Sequence, residues 1–140
     1  MAQDRELITA SVKRLVIKVG STVVTSAEGG GPDVFASLAA EVSRLRGLGV
    51  EVVIVSSGSV ATGMKRLGIT ERISSIPKRQ AVAALGQVGL MALYVEAFSK
   101  KNEQVAQVLL THDDFADRKR YLNGRNTIES LLELGLVPII

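Results

Sequence analysis

A chain of 140 residues that is 46% hydrophobic and 22% charged has the composition of one globular domain with a proper core, and excludes a disordered segment. The absence of cysteine excludes disulfides, thiolate metal sites and thiol nucleophiles, and fits a reducing compartment. A formal charge of +3 and a pI near 9.4 are only mildly basic; Asp113, Asp114 and Asp117 offset the one cationic cluster at Arg118, Lys119, Arg120 and Arg125, and with 4% aromatic residues the chain offers neither a nucleic-acid footprint nor a stacking platform.

Residues 1–11 mix Asp4, Arg5 and Glu6 with small residues and have no apolar h-region. They read as an N-terminal tail rather than a signal peptide, which places the chain in the cytoplasm. The first element lies in KRLVIKVGSTVVT. Leu15, Val16, Ile17 and Val19 form a short apolar run that stops at Gly20, Ser21 and Thr22, the pattern of a strand buried on both faces that runs into a tight polar turn. Lys18 sits just before the glycine, where the carboxyl end of a parallel strand opens into a crevice. An ammonium beside backbone N–H groups suits phosphate. The alternative is a lysine snorkelling off an edge strand, with Gly20 serving only the turn.

Gly29, Gly30 and Gly31 make a hinge, after which Pro32 and Asp33 suit the first turn of a helix. Val34, Leu38, Val42 and Leu45 recur at helical spacing, Arg44 and Arg46 fall in the last turn, and Gly47 or Gly49 closes the element. Residues 50–55 form a second, β-branched strand a residue or two later. Strand, helix, strand with short connections is a right-handed crossover, so the two strands run parallel and the sheet is α/β. This strand also ends in small polar residues, Ser56, Ser57, Gly58 and Ser59, followed by a short helix through Met64 and Leu67. Free N–H groups at that helix start, with Gly58 removing side-chain bulk, make an anion site; the competing reading is plain helix capping by a serine.

Residues 81–98 are apolar nearly all round, which predicts a helix buried on more than one side. Gln87 and Glu96 interrupt the run, which is barely long enough to span a bilayer, so the membrane reading is rejected. Gly86 and Gly89 permit close backbone approach by a second helix or a second subunit, which points to a homo-oligomer. Residues 105–110 predict a third strand, followed by a polar loop at Thr111, His112, Asp113 and Asp114. His112 has no second histidine or cysteine beside it and reads as a loop residue; Asp113 and Asp114 could hold a metal ion or a substrate ammonium, with turn capping expected for one of them. A helix follows, with Ile128, Leu131 and Leu132 on its buried side and Gly135 as its stop; Asn126 with Glu129 could cap an internal start near Asn123 and Gly124. Residues 136–140 are a fourth strand, apolar to its last residue and lacking the loop that each earlier strand supplies. The expectation is a fragment of a longer protein, cut where another ligand loop should begin.

The ordered set KVGST, VVIVSSGSVATG, QAVAALGQVGLM, QVLLTHDDF and DRKRYLNGRNTIESLLELGLVPII resembles the N-terminal half of the glutamate 5-kinase family, in the amino acid kinase superfamily. The resemblance covers nearly the whole chain from Lys13, and five such pieces in order are specific where any one would be weak. It implies a three-layer αβα sandwich around a mainly parallel sheet, truncated here, with residues 12–140 as the amino-acid-binding part and the nucleotide-binding part beyond residue 140. The implied activity is transfer of the ATP γ-phosphoryl group to the γ-carboxylate of L-glutamate, the first step of proline synthesis, with proline as feedback inhibitor. By motif, Lys18 would contact the transferring phosphoryl group, Gly20 and Ser21 would donate backbone N–H bonds to it, and Ser57, Gly58 and Ser59 would hold glutamate. Ser59 departs from the family, where alanine is common at that position, and the glycine run replaces a more varied turn.

The chemistry fits these residue types. Phosphoryl transfer between two anions needs in-line positioning and cancellation of charge, so an ammonium, N–H turns and Mg²⁺ carried by ATP are the expected tools, with no protein-held metal. No G-x-x-x-x-G-K-[ST] loop or G-x-G-x-x-G turn competes. Two other readings stay open: a non-catalytic amino-acid-binding or assembly module of the same fold, and a related kinase acting on N-acetylglutamate or another small acid.

Overall fold

The computed structural model describes residues 12–25 and 32–140; the expected tail at residues 1–11 and the hinge at Gly29, Gly30 and Gly31 lie outside them. Strand β1 (Arg14–Val19) and strand β2 (Glu51–Ser56) pair in parallel with Lys18 opposite Val55 and Val19 opposite Ser56, as the crossover argument requires. β3 (Val105–Gln107) and β4 (Val137–Ile139) complete one all-parallel sheet in the order β1-β2-β4-β3. β3 is shorter than the apolar run 105–110. The Val108 N–H still donates to the Ile139 carbonyl at 2.8 Å, but the partner strand offers no further register and the chain leaves the sheet.

Helices cover both faces. After α1 (Ser21–Thr25), helix α2 (Pro32–Gly47) turns Phe35, Ala39 and Val42 onto the sheet, where they meet Val52, Ile54, Val137 and Ile139. Gly49, at φ +80°, ends it: its N–H donates to the Arg46 carbonyl at 2.9 Å and that of Val50 to Leu45 at 3.1 Å. α3 (Ser59–Leu67) leads to α4 (Ile76–Ser99), which crosses the same face with Leu90, Tyr94, Ala97 and Phe98 in the core. On the other face lie α5 (His112–Ala116) and α6 (Arg118–Glu133), the latter closing over β4 with Leu132 buried. The result is the αβα layering expected.

Three expectations need correction. α4 is buried along one side only, through Val82, Gly86, Leu90, Tyr94, Ala97 and Phe98, while Val88 and Val95 stand 69% and 52% exposed. Its length and apolar composition alone would let it cross a membrane, yet Tyr94 and Phe98 sit wholly inside the core that packs on the sheet. β1 is an edge strand buried on one face: Leu15, Ile17 and Val19 face the core, whereas Arg14, Val16 and Lys18 face outward and stay exposed. Finally, α6 runs unbroken through Asn123 and Gly124, so no internal start is used at Asn126.

Candidate functional site

The carboxyl ends of β1 and β2 form one rim. Gly20 leads directly into α1, whose first bond runs from the Val23 N–H to the Gly20 carbonyl at 3.1 Å, so the expected polar turn is a single helical turn. Beside it, Gly58 is the residue before α3 and adopts φ +113°, ψ 4°, a left-handed conformation that side chains disfavour. A Cβ built on Gly58 would lie 3.3 Å from the Val24 Cβ and 3.5 Å from the Ser21 Cα. The bend at Gly58 therefore lies directly against Val24 and the Ser21 backbone of α1, and α1 packs on α3.

Ser57 does not cap α3. Its N–H and its Oγ both donate to the Val19 carbonyl, at 3.0 and 3.1 Å, stitching the end of β1 to the bend after β2. No side chain caps the helix start at Gly58, whose carbonyl takes the Thr62 N–H at 2.8 Å. Among the described residues no hydrogen bond occupies the Gly58 N–H. Ser59, half-buried, opens α3. The capping alternative thus fails for Ser57, and the arrangement keeps N–H groups available at the rim.

Lys18 alternates onto the outward face with Arg14 and Val16 and is exposed. Among the described residues it has no ion-pair partner. It rises from the last turn of strand before Gly20, on the face of the sheet opposite the Ser56 hydroxyl, since Val19 and Ser56 share the core-facing register. The structure thus brings Gly20, Ser21, Ser57 and Gly58 together, with Lys18 at the open side of the same rim.

Behind the rim stands α4. Gly86 meets the first turn of α3 so closely that a Cβ would fall 1.7 Å from the Ser59 carbonyl oxygen, and a Cβ on Gly63 would fall 2.1 Å from that of Val82. This is the close helix approach expected of Gly86, within one chain. Further along α4, the fully buried Tyr94 donates its hydroxyl to Ser56 Oγ at 2.9 Å and stands edge-on to Phe35 at 4.8 Å. Burial pushes the phenol above its ordinary pKa, a shift the Ser56 hydrogen bond only partly opposes, so it remains a donor at neutral pH. Sequence reasoning named Ser56 only within the polar end of the second strand and passed over Tyr94; the clue was a polar aromatic within an apolar helix, since a buried hydroxyl needs a partner.

The predicted loop at 111–114 is the cap and first turn of α5. Thr111 and Asp114 form a reciprocal capping box, with the Thr111 N–H and Oγ1 both donating to Asp114 Oδ2, at 2.6 and 2.7 Å. Those bonds, with Arg120 nearby, hold the Asp114 carboxyl below its usual range. Asp114 is the capping aspartate, as anticipated for one of the pair, and His112 is exposed. Among the described residues no three His, Asp or Glu side chains cluster as metal ligands.

A separate cleft of about 350 Å³ opens between the sheet and the α5–α6 layer, floored by Val16, Val53, Val55 and Ile140 and walled by Ile128 and Tyr121. It includes none of Gly20, Ser57 or Gly58, and its three arginines are already paired: Arg14 with Glu51 at 2.7 Å and Glu129 at 3.7 Å, Arg120 with Asp114 at 3.8 Å, and Arg125 with Glu129 at 3.4 Å. The rim is the better candidate for an anion because, among the described residues, the Gly58 N–H has no hydrogen-bond partner and Lys18 no ion-pair partner.

Comparison with known proteins gives the same architecture. The fold superposes on carbamate kinase from Giardia lamblia bound to AMP-PNP with a TM-score of 0.55 at 16% identity, covering 93% of this chain and 56% of that one. Among curated sequences, the glutamate 5-kinase of Aromatoleum aromaticum is 54% identical over 132 residues, and that of Thermus thermophilus 53% over 130; each match covers 93% of this chain and 35% of the relative. The chain thus spans about a third of the length of the curated relatives it matches. Residues 13–140 match the amino acid kinase family, spanning all four parallel strands and both glycine bends, and the chain belongs to that family.

Proposed function

We propose that this chain is the amino-acid-binding part of an ATP-dependent kinase that phosphorylates the γ-carboxylate of L-glutamate, the first committed step toward proline. The observation that carries the reading is the rim itself: the bend at Gly58 packed against the start of α1, with the Gly58 N–H unbonded among the described residues and Lys18 on the adjoining strand end. Identity near one-half to glutamate 5-kinases supports the choice of substrate. In this reading Ser57, Gly58 and Ser59 hold glutamate, Gly20 and Ser21 donate N–H bonds to the transferring phosphoryl group, and Lys18 offsets its charge. ATP supplies the phosphoryl group and carries Mg²⁺. The chain's own work is to orient the carboxylate in line and to balance negative charge; it contributes no nucleophile. Cytoplasmic location, inhibition by proline and assembly into a homo-oligomer belong to the same proposal, the last supported by the exposed apolar side of α4.

Calorimetry of the 140-residue chain against L-glutamate, N-acetylglutamate, proline and ATP is the direct test. Binding of L-glutamate in preference to N-acetylglutamate is expected. Preference for N-acetylglutamate would move the chain to another small-acid kinase, and an amino acid bound with no phosphoryl transfer in any context would make it a binding module. Transfer itself is read by grafting the chain in place of the matching third of the Aromatoleum enzyme and following acyl phosphate formation. Lys18→Ala in that chimera should lower kcat by about 10²–10³-fold with folding intact; unchanged kcat would remove Lys18 from the mechanism.

A further inference from the structure

Tyr94 is the largest wholly buried side chain of the described residues, and its ring lies in the core between Phe35 and Phe98. A phenylalanine would fill that space equally well. The hydroxyl is spent on one partner, Ser56 Oγ at 2.9 Å, at the last position of β2. Ser56 is otherwise tied through its backbone, its N–H donating to the Ile140 carbonyl at 2.8 Å. Having accepted the hydrogen bond from the tyrosine, the Ser56 hydroxyl directs its own O–H toward the Ser57 carbonyl, 3.5 Å away, at the long end of a hydrogen bond. The Ser57 N–H and Oγ are meanwhile anchored to Val19.

These bonds decide how the next peptide faces. There is no cis peptide among the described residues, and in a trans peptide the C=O and N–H point in opposite directions. A Ser57 carbonyl drawn toward the α4 side of the sheet therefore turns the Gly58 N–H to the other side, where Lys18 emerges. Gly58, at φ +113°, has the backbone freedom to rotate away from that orientation if nothing holds it.

We propose that Tyr94 is a positioning residue for the bend at Ser57, Gly58 and Ser59: acting through Ser56, its hydroxyl fixes the Ser57–Gly58 peptide with the Gly58 N–H presented to an anionic group at the rim. The ligand half of this inference rests on reading the rim as the glutamate site; the orientation half does not. α4 then has two duties toward the bend, backing it with the bare backbone of Gly86 against Ser59 and orienting it with Tyr94 about two turns further along.

The test compares the 140-residue chain with Tyr94→Phe, which keeps the ring and its edge contact with Phe35. In ligand-free ¹H–¹⁵N spectra the amide signals of residues 56–59 should shift or broaden in Tyr94→Phe while signals of β3 and β4 stay in place, and the affinity for L-glutamate should fall about tenfold. Ser56→Ala should give the same spectral pattern, and the double variant should add nothing further to either single change in affinity. Ser56→Thr, which restores a hydroxyl, should bind as the parent does. An unmoved Gly58 amide in Tyr94→Phe overturns the proposal, as does unchanged glutamate affinity in a parent chain that binds. If the parent chain itself fails to bind L-glutamate, the functional reading falls, and the Gly58 amide still decides the role of Tyr94. Should Tyr94→Phe lose its fold, the Ser56 pair answers the same question.

Discussion

Gly58 carries two constraints at once. Its φ of +113° lies where an L side chain is strained, and a Cβ would press on Val24 at 3.3 Å. Gly58→Ala should therefore cost about 1–3 kcal/mol in urea unfolding through strain alone. It should also push α1 from the bend, and loss of L-glutamate binding should exceed what the stability loss explains. An alanine variant as stable as the parent would mean that the bend can be reached with ordinary dihedrals. Lys18 presents the opposite case: exposed and without a partner among the described residues, it should tolerate replacement structurally, so any effect there belongs to chemistry. Both residues were legible before the fold was known, because a glycine in a run of serines and a lysine before a glycine are local signals. Tyr94 was not, since whether a tyrosine on an apolar helix reaches a serine depends on where that helix crosses the sheet.

The contact of α3 with α4 is the element on which the rim leans. Gly63 and Gly86 bring the two backbones together until a carbonyl of each helix occupies the place of the other's Cβ. Gly86→Ala would raise intrinsic helix propensity by about 1 kcal/mol, yet the 1.7 Å approach to the Ser59 carbonyl forces the helices apart. The net expectation is a loss of about 1–3 kcal/mol, with the rim displaced as α3 moves. Gly124→Ala in α6 is the control: there the Cβ meets only the flexible end of Leu110 at 3.2 Å, so propensity should offset the contact and stability should hold. Equal losses at the two sites would refute the packing argument. Parallel strands and crossover helices could be read from β-branched runs and short connections. The exposed side of α4 and the open face of β1 could not, because an apolar run states a preference for burial and says nothing of whether a neighbour is there to supply it.

At the scale of the whole molecule, a half-buried arginine clasps the end of the sheet away from the rim. Arg46, in the last turn of α2, donates to the Gly135 carbonyl at 2.5 Å across 89 positions of chain and pairs with Glu103, the two side chains being only 21% and 13% exposed. Glu103 lies in the α4–β3 connection and Gly135 in the α6–β4 turn, so a single guanidinium ties three crossovers that lie on opposite faces of the sheet. Arg44 with Glu41 and Lys100 with Glu96 are pairs of another kind, each side chain at least 60% exposed. They should contribute less than about 1 kcal/mol each. Arg46→Ala removes two charge-assisted bonds and leaves a mostly buried carboxylate, so a loss of about 2–4 kcal/mol is expected in urea unfolding. Arg46→Lys should recover little of it, because one ammonium on a flexible stem does not reproduce a planar fork directed at two acceptors. Adding Glu103→Ala to Arg46→Ala should cost less than the two single losses combined, since the second change removes a charge already stranded. If Arg46→Ala unfolds at the same urea concentration as Lys100→Ala, the clasp contributes no more than a surface pair, and the cohesion of the two helical layers has to come from the apolar contacts of the sheet alone.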